Sequence, residues 1–208
     1  MSASSYSTLQ GPAEGIYKEK GSKFLAFAYP VDSETAIKER IDHLKKEYFD
    51  ARHHCFAWML GPDKNHFRAF DDGEPNHSAG TPILGQIRSK GITNVLVVVV
   101  RYFGGVKLGV GGLINAYKTA AENALNNSPI VEIEISENVN LQFDYLILSD
   151  IMKLVKDFGL KILEQDFSED GSMKISVPIR QKEKFMDKLT LLRALGKKIM
   201  WKVGGQLS

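Results

Sequence analysis

The chain has 208 residues, enough for one domain or two, and its 43% hydrophobic and 25% charged content is that of an ordinary globular protein. The net charge of +2 shows that the protein is not strongly basic overall, and a single cysteine excludes an internal disulfide. No apolar run approaches the roughly 20 residues that span a bilayer and no signal peptide is evident, so we expect a cytoplasmic protein without membrane contact.

Alternation, turn residues and caps predict the elements of the first 136 residues. The first dozen residues are small and polar, and we expect them to be loosely held. Six successive apolar residues at 95–100 indicate a central strand that is covered on both faces. The other predicted strands are 16–20, 23–29, 54–60, 66–70 and 130–136; the predicted helices start at Asp32 or Ser33, at residue 78 or 82, and at Gly112.

The remaining residues predict a second, smaller unit. Strands are expected at 139–143, 161–167, 173–177 and 198–203, helices at 145–158 and 181–195, and a turn at 169–171. This order is the β-α-β-β-α-β motif of ferredoxin-like folds. We therefore predict an α+β protein with two domains, residues 1–136 and 137–208.

The segment that follows the central strand is the first candidate site. Arg101 is its first polar residue, and the glycines after it lead into a helix whose free amide groups favour an anion. Neither nucleotide motif fits, because Val110 replaces the Walker A lysine and Ile114 replaces a dinucleotide-site glycine. Two interpretations stay open: the glycines only allow close packing, or they contact a phosphate. The candidate anion-binding residues are Arg101, Lys107, Gly109, Gly111 and Gly112.

Histidines and carboxylates form the second candidate site. His53 and His54 precede one strand, and Asp71, Asp72 and Glu74 follow its partner strand. They could act as a base with its orienting group, pair with Arg101, or simply build a rigid turn. Adjacent strand residues point to opposite faces, so His53 and His54 cannot both ligate one ion. We predict no metal site and no cofactor.

Three sequence blocks carry a family resemblance. They are ARHHCFAW at 51–58, FDDGEPNHSAGTP at 70–82 and RYFGGVKLGVGGLINAY at 101–117. Together, in this order, they resemble the IMPACT/YigZ family, and only Asn76, His77 and Ser78 depart from the bacterial pattern. The resemblance implies an N-terminal domain like domain 2 of ribosomal protein S5 and a ferredoxin-like C-terminal domain like one in elongation factor G. Eukaryotic members are translation regulators that bind the activator of an amino-acid-starvation kinase; the bacterial members have no established reaction.

The combined prediction is a non-enzymatic, translation-associated regulator. Its N-terminal domain would bind RNA, the ribosome or a translation factor through both candidate sites, with Arg101 as the electrostatic anchor. Tyr102 and Phe103 are expected in the core, although either could stack on a base. The alternative is a small hydrolase or phosphate-handling enzyme that uses a cleft of His53, Asp72 and Arg101. A structural module with two independent surfaces stays open as well.

Overall fold

The computed structural model describes residues 4–167 and 170–204 of the chain. It contains two compact units, one formed by Ser5–Ile133 and the other mainly by the residues from Glu134 onward. Among the described residues, no helix combines the length and the apolar character that a membrane crossing needs.

The N-terminal unit is built on an antiparallel sheet. Its strands are β1 (Ser5–Leu9), β2 (Ala13–Glu19), β3 (Ser22–Pro30), β4 (His53–Leu60), β5 (His66–Phe70), β6 (Val95–Tyr102) and β7 (Ile130–Glu134). Five of them form one sheet in the order β2-β3-β6-β4-β5, and β1 pairs separately with β7. The predicted central strand is confirmed, since all of residues 95–100 are fully buried in β6.

Three helices cover the two faces of this sheet. They are α1 (Glu34–Glu47), α2 (Gly80–Ser89) and α3 (Gly109–Asn126). Helix α1 packs with Val98 and Val100 on one face, whereas α2 and α3 pack with Val97 and Val99 on the other, which we call the α3 face. The alternating side chains of β6 therefore contribute to two separate cores, which explains its unbroken apolar run.

Three predictions for this unit need correction. Residues 5–9 form strand β1 and are not loose, while residues 1–3 lie outside the described part of the chain. Strand β6 continues through Arg101 and Tyr102, so the arginine is a strand residue. Helix α3 begins at Gly109, three residues before the predicted start. Ser33 does cap α1, because its hydroxyl accepts a hydrogen bond from the Ala36 amide at 3.3 Å.

The C-terminal unit has the predicted order of elements. It contains β8 (Ser136–Phe143), a 3₁₀ turn (Tyr145–Ile147), α4 (Leu148–Asp157), β9 (Lys161–Asp166), β10 (Gly171–Pro178), α5 (Ile179–Ala194) and β11 (Ile199–Val203). The four strands form an antiparallel sheet in the order β11-β8-β10-β9. Its core includes Val139, Ile175 and Phe185. Residues 168 and 169, at the predicted turn, lie outside the described residues.

Candidate functional site

Arg101 is a buried charge near the end of the central strand. In the antiparallel register it stands opposite His53 of β4 and Phe24 of β3. Directly opposed residues point to the same side of a sheet, so these three side chains form one row on the α3 face. Arg101 is 6% exposed, and its guanidinium carbon lies 5.4 Å from the centre of the Phe24 ring. A charge buried to this degree needs a compensating partner.

Glu74 is that partner, so of the interpretations left open for the acidic loop, pairing with Arg101 is observed. Arg101 Nη1 donates to Glu74 Oε1 at 2.5 Å, and the Tyr117 hydroxyl of α3 donates to the same oxygen at 2.8 Å. Cys55 Sγ lies 3.3 Å from the Tyr117 hydroxyl. Burial raises the pKa of both Cys55 and Tyr117, so both stay protonated. Within the described part of the chain, Arg101 Nε has no hydrogen-bond partner.

A tight turn holds Glu74 in place. The Glu74 amide donates to the Asp71 carbonyl at 2.9 Å, and the two residues between them, Asp72 and Gly73, have φ values of +43° and +85°. Two successive positive φ angles are typical of a type I′ turn, for which Asp-Gly is a favoured pair. The turn therefore fixes the backbone of Glu74 in a position from which its carboxylate contacts Arg101.

Asp71 stabilises the start of helix α2. Its Oδ1 accepts hydrogen bonds from the amides of Ala79 at 3.0 Å and Gly80 at 2.8 Å, and its Oδ2 accepts one from the His77 amide at 2.8 Å. A carboxylate at a helix N-terminus satisfies amides that have no partner within the helix and interacts favourably with the helix dipole. Asp71 therefore fixes the loop to α2.

The two histidines point to opposite faces, as predicted. His54 Nε2 donates to the Tyr48 carbonyl at 3.1 Å, and its backbone amide donates to Asp72 Oδ2 at 2.7 Å. Burial has the largest effect on the pKa of the His54 imidazole, and it lowers this pKa below 6.5. His53 Nδ1 instead donates to the Asp72 carbonyl at 2.8 Å. Among the described residues, no group of three or more His, Cys, Asp or Glu side chains could hold a metal.

An open pocket of about 470 Å³ lies beside the ion pair, and we call it the Arg101 pocket. It lies between the end of β6, the acidic loop and the first residues of α3. Three of its lining side chains are cationic and one is a carboxylate, so its formal charge is positive. The lining residues are Arg52, His53, Glu74, Pro75, Arg101, Phe103, Lys107, Leu108, Gly109, Val110 and Leu113.

The start of helix α3 is open at this pocket. Gly109 is the first helical residue and has a φ of +73°, which favours glycine over other residues. Among the described residues, no side chain caps the helix, and its first turn contains no acidic residue. A Cβ added at Gly109 or Gly111 would have no atom of residues 4–167 or 170–204 within 4 Å. The first amides of α3 and the positive end of its dipole are therefore accessible.

Two larger concavities of the same unit offer less support for a ligand site. One, of about 600 Å³, is lined by Thr8 and Asn94 among others, and the other, of about 510 Å³, by Asn127. Thr8 donates to the Asn94 carbonyl at 3.2 Å, and Asn127 donates to the Glu14 carbonyl at 2.7 Å. These polar groups already have partners, whereas Arg101 Nε has none among the described residues. We therefore place the candidate site at the Arg101 pocket.

The structure divides the predicted site residues into three sets. Five line the Arg101 pocket: His53, Glu74, Arg101, Lys107 and Gly109. Gly111 and Gly112 follow in the first turn of α3. His54, Asp71 and Asp72 lie outside the lining, and each makes the backbone hydrogen bonds described above.

Sequence reasoning missed part of the network. Tyr117 was not singled out, although its spacing from Leu113 and Ala120 marks the buried side of α3. Arg52, which precedes β4, was also missed. Phe103 was expected in the core, but it is 48% exposed and lines the pocket. Tyr102 lies on the opposite face of the sheet, where its hydroxyl donates to Asp50 Oδ1 at 2.7 Å.

Comparison with known proteins assigns the chain to a family. Residues 20–125 match the Impact N-terminal domain. The chain is 31% identical over 188 residues to the IMPACT family member YvyE of Bacillus subtilis, which covers 90% of this chain and 87% of that protein. It is 33% identical over 180 residues to YigZ, the IMPACT family member of Escherichia coli, with 86% and 88% covered.

A solved structure shares the whole fold. It is described as the crystal structure of an hypothetical protein, is 30% identical to this chain, and superposes with a TM-score of 0.73 over 95% of this chain and 97% of its own. The match to the family domain covers half of the chain, and the two bacterial relatives match most of it. The chain therefore belongs to the IMPACT family.

Proposed function

We propose that the chain is a translation-associated RNA-binding protein whose N-terminal unit contacts RNA through the Arg101 pocket. The link to translation comes from the family resemblance. We assign the N-terminal unit to the fold of S5 domain 2 and the C-terminal unit to the ferredoxin-like fold. The strand order β11-β8-β10-β9, with helices after its first and third strands in the chain, supports the second assignment.

The main support for a binding role is that the histidine, aspartate and cysteine side chains that could catalyse a reaction form bonds within the protein. The Asp72 carboxylate accepts a hydrogen bond from the His54 amide and lies 4.0 Å from His54 Nδ1, but His54 is 6% exposed and its Nε2 is bonded to the Tyr48 carbonyl. His53 Nδ1, in the pocket lining, is bonded to the backbone carbonyl of Asp72 instead of a carboxylate. Burial keeps the Cys55 thiol protonated, which suppresses a nucleophilic role. The hydrolase alternative therefore has less support than a binding role.

The lining of the Arg101 pocket includes side chains of the types that contact RNA in other proteins. Arg52 and Lys107 are exposed cations on its lining, and Phe103 offers a half-exposed ring. Cations neutralise phosphates, and aromatic rings stack on unpaired bases. This combination favours a single-stranded RNA segment.

Binding of a short single-stranded RNA with a 5′-hydroxyl end tests the proposal. Fluorescence anisotropy would compare the wild type with the Arg52→Ala/Lys107→Ala variant between about 50 mM and about 200 mM salt. Each phosphate contact contributes about 0.7 to the slope of log K against log salt for single strands, so losing two should reduce the slope by about 1.4. Both residues are exposed, and we expect the variant to fold normally.

The matched control changes the net charge equally on the other side of the sheet. Lys38 and Lys45 are exposed residues of α1, and their replacement by alanine should leave the slope close to that of the wild type. Equal losses of affinity in the two variants would mean that the RNA responds to net charge alone, and the proposal would be wrong. Absence of RNA binding at the lower salt concentration would also refute it.

A further inference from the structure

The Arg101 pocket contains a buried donor that the protein leaves without a partner. The Arg101 side chain is 7% exposed, and one of its nitrogens is bound by Glu74. Its Nε is fully buried and has no hydrogen-bond partner among the described residues. A buried donor without a partner costs about 1–3 kcal/mol. Because Arg101 lines the pocket, an acceptor from outside the chain that approaches its guanidinium would supply the partner that this donor lacks.

The start of helix α3 provides the second part of the same site. Gly109 and Val110 line the pocket together with Arg101, and the helix has neither a side-chain cap nor an acidic first turn. The accessible amides and the dipole both favour an anion. The uncapped helix and the orphan Nε are independent observations, and both call for an acceptor that carries negative charge.

The charges around the pocket favour a phosphate group. Arg52, Lys107 and Arg101 contribute cations, and Glu74 contributes the one carboxylate of the lining. Glu74 Oε1 already accepts hydrogen bonds from Arg101 and Tyr117, which offsets its charge locally. A phosphate has several acceptor oxygens and can therefore contact the helix amides and the arginine together.

The apolar part of the lining favours a base on the same ligand. The Phe103 ring is 48% exposed, and its centre lies 5.7 Å from the Arg101 guanidinium carbon. The rest of the apolar surface comes from Pro75, Leu108, Val110 and Leu113. The volume of about 470 Å³ falls within the ~300–1,000 Å³ typical of small-ligand pockets. Aromatic rings stack on nucleobases without strict base preference.

We infer that the Arg101 pocket is a subsite for a nucleoside 5′-phosphate, with the phosphate at the α3 amides beside the Arg101 guanidinium and the base against Phe103. The inference rests on the proposed RNA-binding function when the phosphate is the 5′ end of an RNA. A free mononucleotide carries the same chemical group. The experiment therefore tests the free mononucleotide and the 5′ end of an RNA separately.

Calorimetric titration with adenosine 5′-monophosphate and with adenosine tests the free-nucleotide arm. The monophosphate should bind and adenosine should bind at least about tenfold more weakly, because adenosine lacks the group that the helix and the arginine contact. The RNA arm compares the same RNA with a 5′-phosphate and with a 5′-hydroxyl end. The phosphorylated form should bind about tenfold more tightly if RNA supplies the group.

Val110→Asp locates the binding. Val110 is exposed and lies in the first turn of α3 within the lining, so an aspartate there suits the helix start but repels a phosphate. It should weaken binding of the monophosphate at least about tenfold. Val106→Asp makes the same charge change at an exposed residue outside the lining, and it should have little effect.

The outcomes separate the subsite from the proposed function. Failure of both the monophosphate and the 5′-phosphorylated end to gain affinity overturns the subsite, even if RNA with a 5′-hydroxyl end binds as proposed. Binding of the monophosphate without any RNA binding supports the subsite and refutes the proposed function. Equal loss of binding in the two aspartate variants, or no loss in Val110→Asp, overturns the location.

Discussion

Removal of the Glu74 carboxylate should destabilise the N-terminal unit strongly. Glu74→Ala leaves the buried Arg101 without its counter-charge, and breaking a buried ion pair in this way costs about 3–5 kcal/mol. The Tyr117 hydroxyl also loses its acceptor, which adds about 1 kcal/mol. We therefore expect the free energy of unfolding to fall by about 4–6 kcal/mol. Glu74→Gln keeps an acceptor oxygen and should cost less.

The two tryptophans allow the N-terminal unit to be followed separately. Trp58 is a buried residue of β4, and Trp201 belongs to β11 of the other unit. In a Trp201→Phe background, urea-induced changes in fluorescence therefore report on the N-terminal unit. With a urea slope of about 2 kcal/mol per molar, a loss of 4 kcal/mol lowers the midpoint by about 2 M.

An exposed pair in the same unit serves as the control. His43 and Glu47 form a pair at 3.5 Å on the surface of α1, and Glu47→Ala should change the free energy of unfolding by less than about 1 kcal/mol. If Glu74→Ala were no more destabilising than Glu47→Ala, the argument that Arg101 depends on Glu74 would be refuted. The pocket would then need a different account of how its arginine is held.

Further predictions concern the residues around the network. Asp71→Ala should lower the free energy of unfolding of the N-terminal unit by about 1–3 kcal/mol, because three amides at the start of α2 lose their acceptor. Asp63→Ala, in an exposed turn, is the control, and equal urea midpoints for the two variants would contradict this prediction. Burial depresses the pKa of His54, so the stability that depends on its neutral form is fully present above pH 6.5 and is lost as the pH falls through the folded-state pKa. The urea midpoint of the wild type should therefore fall below pH 6.5 more steeply than that of His54→Gln, and parallel profiles would oppose the assignment. Burial also raises the pKa of Cys55, the single cysteine. Alkylation of this thiol at pH 8 should therefore be slow in the native protein and fast in urea. Rapid alkylation of the native protein would show an accessible thiolate and contradict this prediction.

The fold could be predicted where local patterns decide it. The unbroken apolar run of residues 95–100 placed β6 at the centre of the sheet, and Ser33 marked the start of α1. Strand β1 could not be found this way, because its polar sequence becomes a strand only by pairing with β7, more than 120 residues away. The early start of α3 was missed because glycine is a poor helix former, whereas here Gly109 provides the positive φ that begins the helix.

The candidate site was predictable in its residue types but not in its connections. Opposite charges made pairing of the acidic loop with Arg101 one of the open interpretations, but they could not select it over a turn-building role. The role of Asp71 could not be predicted, because the amides that it caps belong to residues eight and nine positions later, beyond the usual capping pattern. Tyr117 looked like an ordinary core residue of α3, since periodicity shows that a side chain is buried but not which polar group it meets.

The glycines after β6 show why the two sequence-based interpretations of this segment need not exclude each other. A Cβ on Gly104 would overlap the backbone of Gly21, and the Gly104 amide donates to Ser22 Oγ at 3.1 Å. Gly104 is therefore a packing glycine, and it ties the end of β6 to the turn between β2 and β3. Gly111 has no neighbour within 4 Å of an added Cβ and a helical backbone that alanine adopts more readily. Packing thus explains Gly104 but not Gly111, and the phosphate subsite that we infer would account for the absence of a side chain at Gly111, next to the open helix start.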